Sequence, residues 1–168
     1  VWPRSIDLDS DGNVYASDDY LHRISIFDKD GAFLSSWGAA GSKEGELDGP
    51  SGIAIDPDDN IYVVDSANNR IQKFTKDGAF LGGFGQVGEG EGEFDLPWGI
   101  CQDQDRNVYV ADWKNNRVQK FDPEGRFLVL FQAADNGVGD LHGPTGVAVD
   151  SEGDVYVTDW GNHRVQVY

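Results

Sequence analysis

Acidic residues alternate along "DLDSDGNVYASD", residues 7 to 18, with Asp7, Asp9 and Asp11 followed by Gly12, Val14 and Asp18. In a calcium loop of the EF-hand type, carboxylates at this spacing converge on a hard cation while the glycine makes the sharp turn. A second chemistry lies in carboxylate and guanidinium groups five residues apart: Asp18 with Arg23, Asp65 with Arg70, Asp112 with Arg117, and Asp159 with Arg164. Such pairs can grip a ligand, orient a reacting group or brace a loop, and bidentate geometry is available to them. Which chemistry is realised depends on the elements that carry these residues.

Those elements repeat. "YASDDYLHRISIF", "YVVDSANNRIQKF", "YVADWKNNRVQKF" and "YVTDWGNHRVQVY" begin at residues 15, 62, 109 and 156, a spacing of 47 each time. Pro3, Pro50, Pro97 and Pro144 keep the same register, as do Gly31, Gly78 and Gly125, then Phe33, Phe80 and Phe127. Rows this regular define an internal repeat, with units 1–47, 48–94, 95–141 and 142–168. Within each unit the apolar period is two. "GIAIDPDDNIYVVD" reads as two strands around a polar turn, and "RIQKFTKDGAFLGGF" as two more around Asp77-Gly78. No segment has the apolar spacing of an amphipathic helix. Four short antiparallel strands in a unit of this length make a propeller blade, so the chain is predicted to be all-β, a β-propeller of four-stranded antiparallel blades.

The repeat disposes of the calcium loop. Asp7 aligns with Ala54, Cys101 and Ala148, none of which can ligate through its side chain, and Asp18 lies beyond the second strand. "DSDGN" at 9–13 corresponds to "DPDDN", "DQDRN" and "DSEGD", which are polar turns between strands.

Composition narrows the partners. Thirteen Lys and Arg stand against 30 Asp and Glu in 168 residues, a formal charge of −17. Nucleic-acid affinity rests on basic side chains, so neither nucleic acid nor an anionic membrane is an expected partner, and a cationic protein or peptide is. No run of about 18 apolar residues is present. The N-terminal "VWPRSIDLD" has no basic region leading into an apolar stretch, so no signal peptide is predicted. Cys101 is the single cysteine and reads as a small buried side chain in an inner strand.

The unit Pro50-Ser51-Gly52-Ile53-Ala54-Ile55-Asp56, continued by Asn60 through Gln72, resembles the NHL repeat, and the third and fourth units match it nearly as well. A WD40 blade would end in Trp-Asp, whereas here the order is Asp112-Trp113 and Asp159-Trp160. The resemblance implies a propeller, commonly six-bladed, that serves as a binding platform. A minority of its relatives resemble peptide-amidating lyases with metal in the propeller, and some bind RNA. The first unit departs from the pattern: Leu21 replaces the asparagine of Asn68, Asn115 and Asn162, and Ser5 replaces the glycine of Gly52, Gly99 and Gly146. Three periods use 141 residues and leave 27, so the fourth unit is expected to lack its outer strand. The chain is then an arc of a longer propeller, or a ring closed by a homo-oligomer, or a tight ring of four blades.

Recurrence in every blade marks the four Asp–Arg pairs as structural braces, because a single active site needs asymmetry. Recognition is expected on the face formed by the loops that link blades, at 38–50, 85–97 and 132–144, together with the loops between second and third strands. Tyr20, Trp98, Trp113 and Trp160 are the predicted anchors there, with Glu89, Glu91 and Glu93 as an acidic rim. Asp48, Asp95 and His142 align just before the innermost strand and are the candidate metal set. With no His-x-His or His-Glu-x-x-His spacing, neither a metal nor another cofactor is expected. The function read from the sequence is a non-enzymatic scaffold that binds a protein or peptide. The alternative is a metal-dependent lyase or hydrolase with its site near His142.

Overall fold

The computed structural model of the chain describes residues 2–134 and 139–168. They form two compact units, Val1–Phe84 and Gly85–Tyr168.

The first unit holds two blades. Strands β1 (Pro3–Leu8), β2 (Val14–Asp18), β3 (Arg23–Phe27) and β4 (Phe33–Trp37) pair in sequence order into one antiparallel sheet. Strands β5 (Pro50–Ile55), β6 (Ile61–Asp65), β7 (Arg70–Phe74) and β8 (Phe80–Phe84) form the second in the same order. The second unit repeats this with β9 (Pro97–Gln102), β10 (Val108–Asp112), β11 (Arg117–Phe121) and β12 (Phe127–Phe131). A short ribbon, β13 (Ala133–Ala134) with β14 (Gly139–Asp140), follows, and the last sheet has three strands, β15 (Pro144–Val149), β16 (Val155–Asp159) and β17 (Arg164–Val167). The fold is all-β with blades of the propeller type, and the fourth blade ends at its third strand as its length requires. Two single-turn 3₁₀ segments, Ser66–Asn68 and Trp160–Asn162, are its only helical pieces among the described residues.

Burial follows strand position. β6 and β10 are buried along their whole length, which is why "IYVV" and "VYVA" show no polar alternation. The outer strands β4 and β12 are largely exposed. In the first unit, Tyr15, Ile24 and Ile26 of the first blade pack with Ile53, Ile61, Val63 and Phe74 of the second, and Leu47 from the linker joins them. In the second unit, Tyr109, Ala111 and Val118 pack with Val155 and Val157 around Leu141, with Cys101 at the margin. Burial, then Asp103, pushes the Cys101 thiol up to about 12, so it is not a nucleophile at neutral pH.

The acidic turns are self-contained, as the repeat predicts. Asp9 accepts the backbone N–H of Asp11 and Asn13 and the side-chain amide of Asn13. Asp56, Asp103 and Asp150 each accept backbone N–H groups of their own turns in the same way. These carboxylates close hairpins.

Candidate functional site

In the second, third and fourth blades one buried carboxylate ties the preceding linker to the blade. Asp65 is fully buried and accepts the linker N–H of Asp48 at 2.6 Å, the Asn68 amide at 2.9 Å, the Arg70 Nε at 2.7 Å and the Gln72 amide at 3.0 Å. The terminal nitrogens of Arg70 pass the carboxylate and donate to the carbonyls of Ser42, Lys43 and Glu46 in the linker. Arg117 repeats this on Asp112 and on the carbonyls of Glu89, Gly90 and Glu93, at 2.7 to 2.8 Å. Gln119 adds a bond to Glu93 O, and Asn115 one to Gly88 O. Arg164 meets Asp159 at 2.7 Å and the carbonyls of Gly139 and Asp140. In these three blades the Asp–Arg contacts are not bidentate. One guanidinium nitrogen holds the carboxylate, and the others fasten the preceding linker to the blade.

The carboxylates differ in proton affinity. Burial holds Asp112 above the usual carboxylate range despite its donors. At Asp159 burial also works upward, but the bonds from Asn162, the His142 N–H and Arg164 outweigh it and hold the group low.

The first blade does not follow. Arg23 forms no ion pair with Asp18: Asp18 Oδ2 and Arg23 Nε are both buried without a partner. Asp18 Oδ1 accepts only the N–H groups of Trp2 and Leu21. The reason is in the rows. Leu21 and Ser25 stand where Asn68 and Gln72 donate to Asp65. Leu21→Asn restores one donor to the orphaned oxygen. A gain of about 1 kcal/mol is expected, read as a higher urea midpoint at unchanged slope.

Around this repeated frame two rows vary, and they meet in space. Arg4 pairs with Asp19 at 2.6 Å, Ser51 Oγ lies 2.8 Å from Ser66 Oγ, and Trp98 stacks on Trp113 with centroids 5.3 Å apart and planes 16° from parallel. The same two positions therefore carry an ion pair, a hydroxyl pair and an aromatic pair in successive blades. Residues 4, 51 and 98, and 19, 66 and 113, were legible as rows, but nothing in the chain order says that the rows touch.

The predicted anchors sit as follows. In the first unit Tyr20 is 69% exposed. In the second, Trp160 is 64% exposed, and Trp98 and Trp113 are half-buried in their stack. Gly143 brings them together: at φ +61°, a Cβ on it would lie 2.9 Å from Trp113 Nε1 and 3.8 Å from Trp160 Cε3. Its N–H donates to Asn116 Oδ1 at 2.8 Å. Glu89 and Glu91 are exposed. Glu93 is not a free rim charge. Its carboxylate accepts the Gln86 amide and the Gly90 N–H, which hold it below the usual range. Of the loop at 132–144, residues 135–138 lie outside the described residues.

The candidate metal set is not assembled. Among the described residues no group of three or more His, Cys, Asp or Glu is placed to hold an ion. Asp48 is turned to His22 at 3.4 Å, Asp95 to Lys114 at 3.7 Å, and the His142 imidazole lies against Gly161. Asp48 and Asp95 are each engaged by a side chain of a neighbouring loop.

Two family descriptions match this architecture. "SMP-30/Gluconolactonase/LRE-like region" matches residues 5–134, and "NHL repeat" matches residues 141–168. The chain belongs to the SMP-30/gluconolactonase-like family of propellers. Its repeats are of the NHL type. A 51-residue stretch is 43% identical to the RING finger protein nhl-1 of Caenorhabditis elegans, covering 30% of this chain and 5% of that protein. Virginiamycin B lyase from Staphylococcus aureus superposes with a TM-score of 0.70 at 18% identity, over 99% of this chain and 55% of its own. A gluconolactonase from Xanthomonas campestris gives 0.68 at 20% identity, over 94% and 54%. The chain spans about half the length of these solved relatives, and at such identities the likeness concerns the fold.

Proposed function

We propose that this SMP-30/gluconolactonase-like propeller is a binding scaffold for a basic protein or peptide segment. The surface is built in the second unit from Trp98, Trp113 and Trp160, with Glu89 and Glu91 at its rim. The observation that carries this reading is the exchange of side chains in a constant frame. Where the first unit places an ion pair and a pair of serines, the second places stacked indoles, and it leaves Trp160 open to solvent. Indole faces attract guanidinium and ammonium groups, and the charge of −17 draws cationic segments toward them. A cationic side chain laid on Trp160 would have carboxylates within the same unit as counter-charges. Tyr20 in the first unit offers a separate exposed ring.

The test is a titration of the chain with cationic, neutral and anionic peptides of equal length, followed by tryptophan emission. Cationic peptides bind, more weakly as salt rises, and Trp160→Ala lowers their affinity by about 30-fold, the effect of losing an anchor worth about 2 kcal/mol. Trp160 is exposed, so this variant keeps its fold. Equal binding of anionic peptides, or full affinity in Trp160→Ala, overturns the proposal.

The family match supports a second reading, an enzyme on the same propeller, since its description includes gluconolactonase and the solved likenesses include a lyase. That reading predicts hydrolysis of gluconolactone above the buffer rate, abolished by His142→Ala and by chelator.

A further inference from the structure

Three positions that carry small side chains around the second blade carry polar or charged ones around the third, and there they meet. Where the second blade has Ser42, Ala67 and Gly85, the third has Glu89, Lys114 and Gln132. The frame beneath them does not change. Asn68 donates to Gly41 O at 2.8 Å and Arg70 to Ser42 O at 2.9 Å; one period on, Asn115 donates to Gly88 O at 2.8 Å and Arg117 to Glu89 O at 2.7 Å. The exchanged residues come from three separate loops, and in the second unit they line one cavity of about 270 Å³ together with Asn115 and Arg117. That volume is just below the roughly 300–1,000 Å³ of pockets for drug-sized ligands, so the fitting occupant is compact.

The charges of the lining select the ligand. Arg117 is already engaged, through Nε with Asp112 and through its terminal nitrogens with linker carbonyls. Lys114 is not: its Nζ lies 3.7 Å from Asp95 Oδ1, beyond hydrogen-bond reach, so the ammonium can donate to a ligand. Glu89 is exposed, and Arg117 holds its main-chain carbonyl, not its carboxylate. A simple cation here meets the like charges of Lys114 and Arg117. A simple anion meets Glu89 and the chain's net charge of −17. A compact ligand bearing both charges finds an opposite partner for each.

We infer that this cavity binds a free α-amino acid with a polar side chain. Its carboxylate accepts from the Lys114 ammonium, its ammonium donates to the Glu89 carboxylate, and its side chain faces the Gln132 carboxamide, which can both donate and accept. Glu89, Lys114 and Gln132 are exposed, so each contact is of moderate strength and the affinity falls between micromolar and millimolar. The inference does not rest on the peptide-binding reading. The two sites share Glu89 alone, and Lys114 has the wrong sign to hold a cationic peptide.

The experiment is calorimetric titration of the full chain with L-serine, L-asparagine and L-glutamine up to millimolar concentration. Saturable binding of at least one of them is expected. Its N-acetyl and carboxyl-amide derivatives, each lacking one of the two charges, bind about tenfold more weakly or not at all. Lys114→Ala and Glu89→Gln each lower the affinity by about tenfold. Both side chains are exposed, so the unfolding midpoint of each variant stays in place. Lys114→Ala leaves the binding of cationic peptides undiminished, which separates this site from the peptide surface. No saturable binding of any of these amino acids overturns the inference. So does a derivative that binds as tightly as its parent, or full affinity in both variants.

Discussion

Arg117→Ala is expected to lower the unfolding free energy by about 3–5 kcal/mol, a large share of what a domain of this size possesses. The residue is 6% exposed, and its side chain donates four hydrogen bonds, one to Asp112 and three to linker carbonyls. Removing it leaves Asp112 buried with a reduced set of donors and three carbonyls without their partner. Burial already holds the Asp112 proton affinity high, and loss of the neighbouring cation pushes it higher. The variant should therefore be less impaired at acid pH than at neutral pH: a raised carboxylate pKa adds stability as pH falls through it and removes it as pH rises. Lysine is a poor replacement, since one ammonium cannot span a carboxylate and three carbonyls as a planar guanidinium does. Chemical unfolding followed by tryptophan emission measures the effect. Arg126→Ala is the control, because Arg126 is exposed and binds only turn carboxylates, and its loss should leave the midpoint in place. Equal midpoints for the two variants would show that the linker is not held by this side chain.

Phe94→Ala should cost a comparable about 3–5 kcal/mol, for a different reason. Phe94 is the apolar plug of the same linker, fully buried and 5.6 Å from the Phe121 ring. Alanine leaves a cavity that the strands cannot close, because the linker backbone is pinned on either side by the Phe94 N–H to Gln86 O and by Arg117 to Glu93 O. Leucine occupies the row at Leu47 and Leu141, so Phe94→Leu should recover most of the loss. The double variant Arg117→Ala with Phe94→Ala is expected to cost less than the two single losses together, since both release one segment. Simple additivity in a double-mutant cycle would mean that plug and guanidinium hold the chain independently.

How much of this could be read from the chain differs by residue. The strands were legible because alternation is local: Ile61 to Val64 and Val108 to Ala111 announce an inner strand through their own side chains. Asp65 and Arg70 were legible as a candidate pair because opposite charges recur five residues apart across a tight loop in every unit. The other partners of Arg70 were not, because they are main-chain carbonyls of Ser42, Lys43 and Glu46, and a carbonyl has the same chemistry in every residue. Asp18 and Arg23 show the converse. Their types and spacing match the other pairs, yet the pair does not form once Leu21 and Ser25 withhold the donors that Asn68 and Gln72 provide.

By itself, then, the sequence determined the period of 47, the all-β blades, the short fourth blade and the identity of the rows that vary. These follow from local alternation and from register, which a linear chain displays directly. Only the tertiary structure decided that rows 4/51/98 and 19/66/113 face each other, that the Glu93 carboxylate bonds to its own loop, and that Asp48, Asp95 and His142 form no metal-holding group among the described residues. Those outcomes rest on where strands from distant parts of the chain bring side chains and carbonyls within about 3 Å, a distance that spacing along the chain does not specify.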